Sequence, residues 1–331
     1  IHILNFKFLH LVILVFLVFP VSSEEIFFNN HNIHGEDSTF KDFIKWQLSG
    51  NKPDRFSIEI SDEFNLLLNK PKTPYAVWVG HSNFLINNND INILTDPIFS
   101  KRASPISFAG PKRLIPPGIN FNLLPDIDVV TVSHAHYDHM DIPTLKRLYE
   151  INENTLFLVP MNSAKLLLSA GIKNVVEMNW WDTISLSDTL ITFVPVHHWS
   201  SRTPFDKNET LWGGWWFEHS SLKLVHLGDT GYTYDFLTIN KELGSPDFAF
   251  IPIGAYEPRS IMKDSHLNPD EAIQTALDLN ATHAIGMHWG TFMLTDEPVQ
   301  EPPALVKNRL KELDLEGLFT IPIPGKIISL E

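Results

Sequence analysis

The chain has 331 residues, 44% of them hydrophobic, a formal net charge of −14 and no cysteine. That length supports one large domain plus an extension, with a sizeable core. The acidity and the lack of any Lys/Arg run exclude the basic footprint of a nucleic-acid binder, and the missing cysteines leave any metal to histidine and carboxylate.

Residues 1–23 read as a secretory signal peptide. Lys7 precedes an apolar run at 11–19, Pro20 breaks it, and Val21-Ser22-Ser23 supplies small residues at the cleavage point. This places the folded domain outside the cytoplasm, periplasmic or secreted. The alternative is an uncleaved N-terminal membrane anchor, for which the run is short.

Residues 24–73 read as an N-terminal extension, and a hydrolase domain is expected over 74–331. Within the extension Asn29-Asn30-His31-Asn32 is polar and reads as loose. Ser38 caps an expected short helix with Phe40, Phe43, Ile44 and Gln47 on one stripe. Lys70-Pro71-Lys72-Thr73-Pro74 marks the boundary.

Strands are expected at 76–79, 83–86 and 91–94, and a Pro- and Gly-bearing loop at 98–125. Strand and helix then alternate. Strands are expected at 128–132, 155–159 and 175–178, and helices at 142–150 (Asp141 as N-cap) and 163–170. Strands at 190–196, 211–217, 222–227, 249–253 and 283–287 follow, with a helix at 272–279 opened by Asn268-Pro269-Asp270-Glu271. The pattern implies an α/β sandwich of two mixed sheets covered by helices.

The strongest motif is His134-Ala135-His136-Tyr137-Asp138-His139, at the end of an apolar strand. Alternate side chains of an extended segment point the same way, so His134 and His136 can face one metal. The following turn can carry Asp138 and His139 to a second. Imidazole and carboxylate suit zinc, and burying four such groups unpaired would cost several kcal/mol. Three later strand ends supply further candidates: His197-His198, Asp229 within Gly228-Asp229-Thr230-Gly231, and His288. His197 and His198 face opposite sides, so one of them can join; the residues alone do not choose. The carboxylate of Asp229 can bridge two metals.

These motifs, in this order, resemble the metallo-β-lactamase superfamily, and within it the N-acyl-phosphatidylethanolamine-hydrolysing phospholipase D family. The similar stretches include Trp78-Val79-Gly80-His81, Leu94-Thr95-Asp96-Pro97, Gly110-Pro111-Lys112-Arg113, Ile251-Pro252-Ile253-Gly254-Ala255-Tyr256-Glu257-Pro258-Arg259 and His288-Trp289-Gly290-Thr291-Phe292, over about residues 76–303. The resemblance implies a metallo-β-lactamase αββα fold and two zinc ions. His134, His136 and His198 would hold the first, Asp138, His139 and His288 the second, and Asp229 would bridge. It implies a phospholipase D-type phosphodiesterase, with a hydroxide between the ions attacking phosphorus. N-acyl-phosphatidylethanolamine would yield N-acylethanolamine and phosphatidic acid.

Asp138 would orient the nucleophile, and His266 would meet the substrate phosphate. Arg259 would add a second phosphate contact, and Tyr256, with the tryptophans, apolar surface for the lipid. A membrane surface is an expected partner and a homodimer an allowed assembly; nucleic acid is not a partner. Ser82-Asn83 and Asn268-Pro269-Asp270 depart from the family pattern, which leaves the substrate less constrained than the metals. The competing reading is a metal-dependent lactonase of the same superfamily, acting on a phosphorylated sugar lactone.

Overall fold

A computed structural model describes residues 27–31, 57–220 and 222–331. The expected signal peptide at 1–23 and the expected helix after Ser38 lie outside the described residues.

Two seven-stranded sheets stack face to face. The first sheet contains β1 (Tyr75–Gly80), β2 (Asn83–Asn87), β3 (Asn92–Thr95), β4 (Val129–Thr131), β5 (Leu156–Pro160), β6 (Val175–Met178) and β14 (Ile327–Ser329), in the order β14-β1-β2-β3-β4-β5-β6. β3 to β6 run parallel and the rest antiparallel. The second contains β7 (Thr183–Leu186), β8 (Thr189–Val194), β9 (Gly214–His219), β10 (Leu222–His226), β11 (Phe248–Pro252), β12 (His283–Met287) and β13 (Phe319–Thr320), in the order β13-β12-β11-β10-β9-β8-β7. β10 to β13 are parallel.

Alternation along each strand makes this sandwich. In β1, Ala76 and Trp78 pack with Phe84, Ile93 and Val129 against Phe193, Trp215, Phe250 and Ile285 of the second sheet. Val77 and Val79 face the other way, onto Leu145 and Leu148 of α2 (Ile142–Ile151) and Leu167 of α3 (Ala164–Ser169). The outer face of the second sheet, with Trp216, Val225, Ala249 and Ile251, is covered by α4 (Asp235–Leu243), α6 (Pro269–Asp278) and α7 (Glu301–Glu312). Strands buried on both faces need near-continuous apolar sequence, as Tyr75-Ala76-Val77-Trp78-Val79 provides.

Two shorter helices are α1 (Glu63–Leu66) and α5 (Arg259–Met262). α1 belongs to the expected extension, yet Phe64 is fully buried, and its N–H donates to Gly325 O at 3.1 Å. Asp141 precedes α2 as expected, but its carboxylate does not cap the helix backbone. It accepts instead from Ser100 N–H, Ser100 Oγ and Thr144 Oγ1 at 3.1, 2.8 and 2.5 Å, tying the 98–125 loop to the helix start.

Candidate metal centre

The carboxyl ends of β1, β3, β4, β8, β10 and β12 meet at one rim of the sandwich, where parallel sheets place their sites. β1 delivers His81, β3 Asp96, β4 the 134–139 motif, β8 His198, β10 Asp229 and β12 His288. The backbone is bent hard here: His81, Asp96 and His288 have φ of 60°, 37° and 61°, in the left-handed region that costs non-glycine residues energy. Gly228, at φ 62°, admits Asp229 beside the motif; a Cβ there would lie 2.5 Å from Ser133 Cβ.

The side chains form two nests sharing one carboxylate. In the first, His134 Nε2 lies 2.8 Å from His136 Nδ1, which lies 3.4 Å from His198 Nε2. Nitrogens bound to one tetrahedral zinc at 2.0–2.1 Å stand about 3.3 Å apart. In the second, His139 Nε2 lies 3.5 Å and His288 Nε2 3.8 Å from Asp138 Oδ2. Asp229 faces both nests. Its Oδ2 is 3.9 Å from His134 Nε2 and from His198 Nε2, and 3.1 Å from His139 Nε2, while its Oδ1 is 3.0 Å from His288 Nε2.

The donor set fits a metal. His139 Nε2, His288 Nε2 and Asp229 Oδ1 are buried and crowd one another at 3.0–3.1 Å from Asp229 without an aligned hydrogen bond, a costly arrangement unless something else binds them. Burial holds His134 and His198 well below the usual imidazole range and His136 at about 4, so all three present neutral lone pairs at pH 7. Asp138 and Asp229 are held well below the carboxylate range, although burial opposes it, by the surrounding histidines. Burial would lower His288, but Asp229 and Asp138 outweigh it and raise it to about 9, and His139 is raised likewise. The two carboxylates thus call positive charge into this nest, and a metal dication answers that field.

The other expected residues divide. His198 joins the cluster; His197 does not, for its backbone bridges Gly231 and its ring turns toward Asn30. The His266 ring lies 5.3 Å from that of His198 and 5.5 Å from that of His288, with Nδ1 buried and unpartnered. Arg259 and Tyr256 lie outside the histidine cluster and have protein partners of their own. The Arg259 guanidinium is engaged by both oxygens of Glu271 at 2.8 and 2.7 Å and by His266 O at 2.8 Å, so it braces His266 rather than facing the metals. The Tyr256 hydroxyl donates to Glu301 at 2.7 Å, toward α7. Of the tryptophans, Trp212, Trp215 and Trp216 are core, whereas the Trp199 ring packs 4.3 Å from that of His136.

Three residues act here that the motifs did not assign. His81 Nε2 lies 2.9 Å from Asp138 Oδ2 and joins its nest. Asp96 accepts from His139 Nδ1 at 2.7 Å and from Ser133 N–H and Oγ at 2.6 and 2.7 Å. Asn30 belongs to the stretch expected to be loose, and the structure corrects that reading. Its Oδ1 accepts from the His198 N–H and from Trp212 Nε1, both at 3.0 Å, and the next residue, His31, pairs with buried Asp235 at 2.6 Å. Short polar side chains read as loop-formers unless their partners, here more than 160 residues away, are known.

Comparison with known proteins agrees with this geometry. The family model described as a beta-lactamase superfamily domain matches residues 91–289. The chain is 39% identical over 250 residues to an N-acyl-phosphatidylethanolamine-hydrolyzing phospholipase D of Caenorhabditis elegans, covering 72% of this chain and 69% of that protein. It is 35% identical over 252 residues to the mitochondrial enzyme of that name from Saccharomyces cerevisiae, covering 74% of this chain and 53% of the yeast protein. A metallo hydrolase from Ignicoccus hospitalis shares the fold with a TM-score of 0.59 at 20% identity, over 78% of this chain and 98% of that one.

Proposed function

The chain belongs to the N-acyl-phosphatidylethanolamine-hydrolysing phospholipase D family of metal-dependent hydrolases in the beta-lactamase superfamily, and from that premise we propose that it is a two-zinc phosphodiesterase cleaving N-acyl-phosphatidylethanolamine. The observation that carries the two-metal reading is Asp229, one carboxylate within 3.9 Å of both histidine nests. The substrate reading is supported by kinship with enzymes named for that reaction.

His134, His136 and His198 would hold one zinc, Asp138, His139 and His288 the other, and Asp229 would bridge. When bound, the pair would lower the pKa of water and draw charge from the phosphoryl oxygens. The rest falls to the chain's own groups. Asp138 meets His81, His139 and His288 through Oδ2, so Oδ1 can accept from the attacking water and fix its direction. Burial lowers His266 to about 4, so the neutral ring can donate one N–H to a phosphoryl oxygen. Water adds to phosphorus and the bond to the ethanolamine oxygen breaks. That oxygen takes up a proton, leaving N-acylethanolamine and phosphatidic acid.

Elemental analysis of protein expressed with zinc should find about two ions per chain. Turnover of N-acyl-phosphatidylethanolamine, with none of a lactone panel, is the expected activity. Lactone opening without phosphodiester cleavage would overturn the substrate assignment. His136→Ala should keep the fold, lose zinc from one nest and lose activity; full activity would refute its role.

A further inference from the structure

Between Pro97 and Pro125 the chain carries Lys101, Arg102, Lys112 and Arg113 and no acidic residue, in a protein of net charge −14. These cations sit on the stem of a hairpin. Ala103 N–H donates to Pro111 O at 3.1 Å, Arg113 N–H to Lys101 O at 2.9 Å, and Arg102 Nη1 to Gly110 O at 2.6 Å. The tip, residues 104–110, has a defined shape. Gly110 sits at φ 90°, where a Cβ would lie 2.6 Å from Ser104 Cβ. This shaped tip turns two apolar side chains outward, Ile106 and Phe108, the latter 80% exposed.

The hairpin is fastened to the catalytic rim. At its base Ser100 donates to Asp141, two residues beyond His139, and the Arg113 guanidinium lies 5.0 Å from the Phe292 ring, itself 5.3 Å from that of His81. A second loop is fastened to the same 135–141 turn: Arg202 Nη1 donates to Ala135 O and Met140 O at 2.8 and 3.0 Å, and that loop presents Phe205, 90% exposed.

We propose that the 104–110 hairpin tip, with Phe205 on the companion loop, docks the protein on an anionic lipid bilayer and brings the metal rim to the membrane. The inference rests on the phospholipid reading above and adds the surface that meets the lipid. Apolar side chains projecting from a cationic base match a bilayer with acidic headgroups, where the aromatic ring enters the acyl boundary while the cations stay at the phosphates. Lys101, Arg102 and Lys112 have no ion pair among the described residues, so their charge is available to headgroups. A twofold contact between copies would set these cations against their own images. Nucleic acid offers the charge but no apolar phase for Phe108.

The test uses the intact metal-loaded protein and sedimentation with phosphatidylcholine vesicles, with and without phosphatidylglycerol. Binding should require phosphatidylglycerol and weaken with added salt. Lys112→Gln should weaken it about fivefold, the contribution of one surface cation. Ile106→Ser with Phe108→Ser should weaken it about tenfold or more. These variants should hydrolyse soluble bis(p-nitrophenyl) phosphate like the parent, because none touches the metal cluster. Equal vesicle binding by parent and double variant overturns the proposal, as does a dimer in sedimentation equilibrium that the double variant abolishes. Tip-dependent binding without cleavage of N-acyl-phosphatidylethanolamine keeps the docking surface and removes the substrate assignment. Cleavage with tip-independent binding does the reverse.

Discussion

Asp96 shows how one buried carboxylate can set the chemistry of both nests. It accepts the Nδ1–H of His139 directly, which fixes that ring with its Nε2 toward Asp138 and Asp229, where a bound metal would take the place of the proton. It also accepts from Ser133 Oγ, so the Ser133 oxygen is left to accept from His134 Nδ1 at 2.9 Å, and His134 Nε2 turns toward His136. Asp96→Asn would keep the contact with the Ser133 N–H and put an amide N–H₂ against His139, reversing its tautomer. Metal affinity, read by competition with a chromophoric chelator, should fall about 10–100-fold. Ser133→Ala should weaken the first nest more than the second, which Ser133 touches only at 3.4 Å through His139; unchanged affinity in Asp96→Asn would show that the carboxylate only stabilises the turn. The family stretches contain Asp96 and His81 but assign neither a role. The ligands announce themselves because four of them crowd six positions, whereas Asp96 acts across 43 residues and His81 across 57, and no local period encodes such contacts.

The elements that carry the site are those whose apolar runs are easiest to read. β4, β8, β10 and β12 are buried along most of their length, and each expected strand overlaps the observed one, with ends displaced by up to two residues. Other elements are not legible, among them α4, which no expected helix covers and which buries only Asp235, Phe236 and Ile239. β7 alternates exposed and half-buried residues on a sheet edge, so its sequence is half polar. α7 begins Glu301-Pro302-Pro303, which reads as a break, and buries only Pro302, Val306 and Leu310, one residue per turn. α6 is legible from its opening, and that opening does more than start a helix. Asn268 accepts from Glu271 N–H at 2.9 Å while Glu271 accepts from Asn268 N–H at 3.0 Å, and Glu271 also holds Arg259, which holds His266 O. Asn268→Ala should therefore cost about 1 kcal/mol of stability, as a lost cap does. It should also raise KM for the phosphodiester more than it lowers kcat, as His266 loosens. Thermal denaturation and steady-state kinetics separate the two; a stability loss with unaltered KM would confine the box to a folding role.

The metal centre is a seam between the two sheets. His134, His136, Asp138 and His139 follow a strand of the first sheet, while His198, Asp229 and His288 follow strands of the second. Asn30 adds a third party by tying residues 27–31 to the His198 backbone. Bound metal would therefore cross-link elements far apart in the chain, and its binding energy becomes folding energy: at a thousandfold excess over Kd this linkage is worth about 4 kcal/mol. Without it, ionised Asp138 and Asp229 remain buried among histidines, an arrangement that favours separation of the rim. Chelation should lower the melting temperature, and zinc should restore it. Hydrogen exchange gives the sharper reading. Protection should fall in the segments leaving β4, β8, β10 and β12 and in the 134–139 turn, while the bodies of those strands, held by the shared apolar interface of Val129, Ile191, Leu224 and Ile285, should change little. Uniform loss of protection on chelation would instead mean that the metals support the whole sandwich rather than one rim of it.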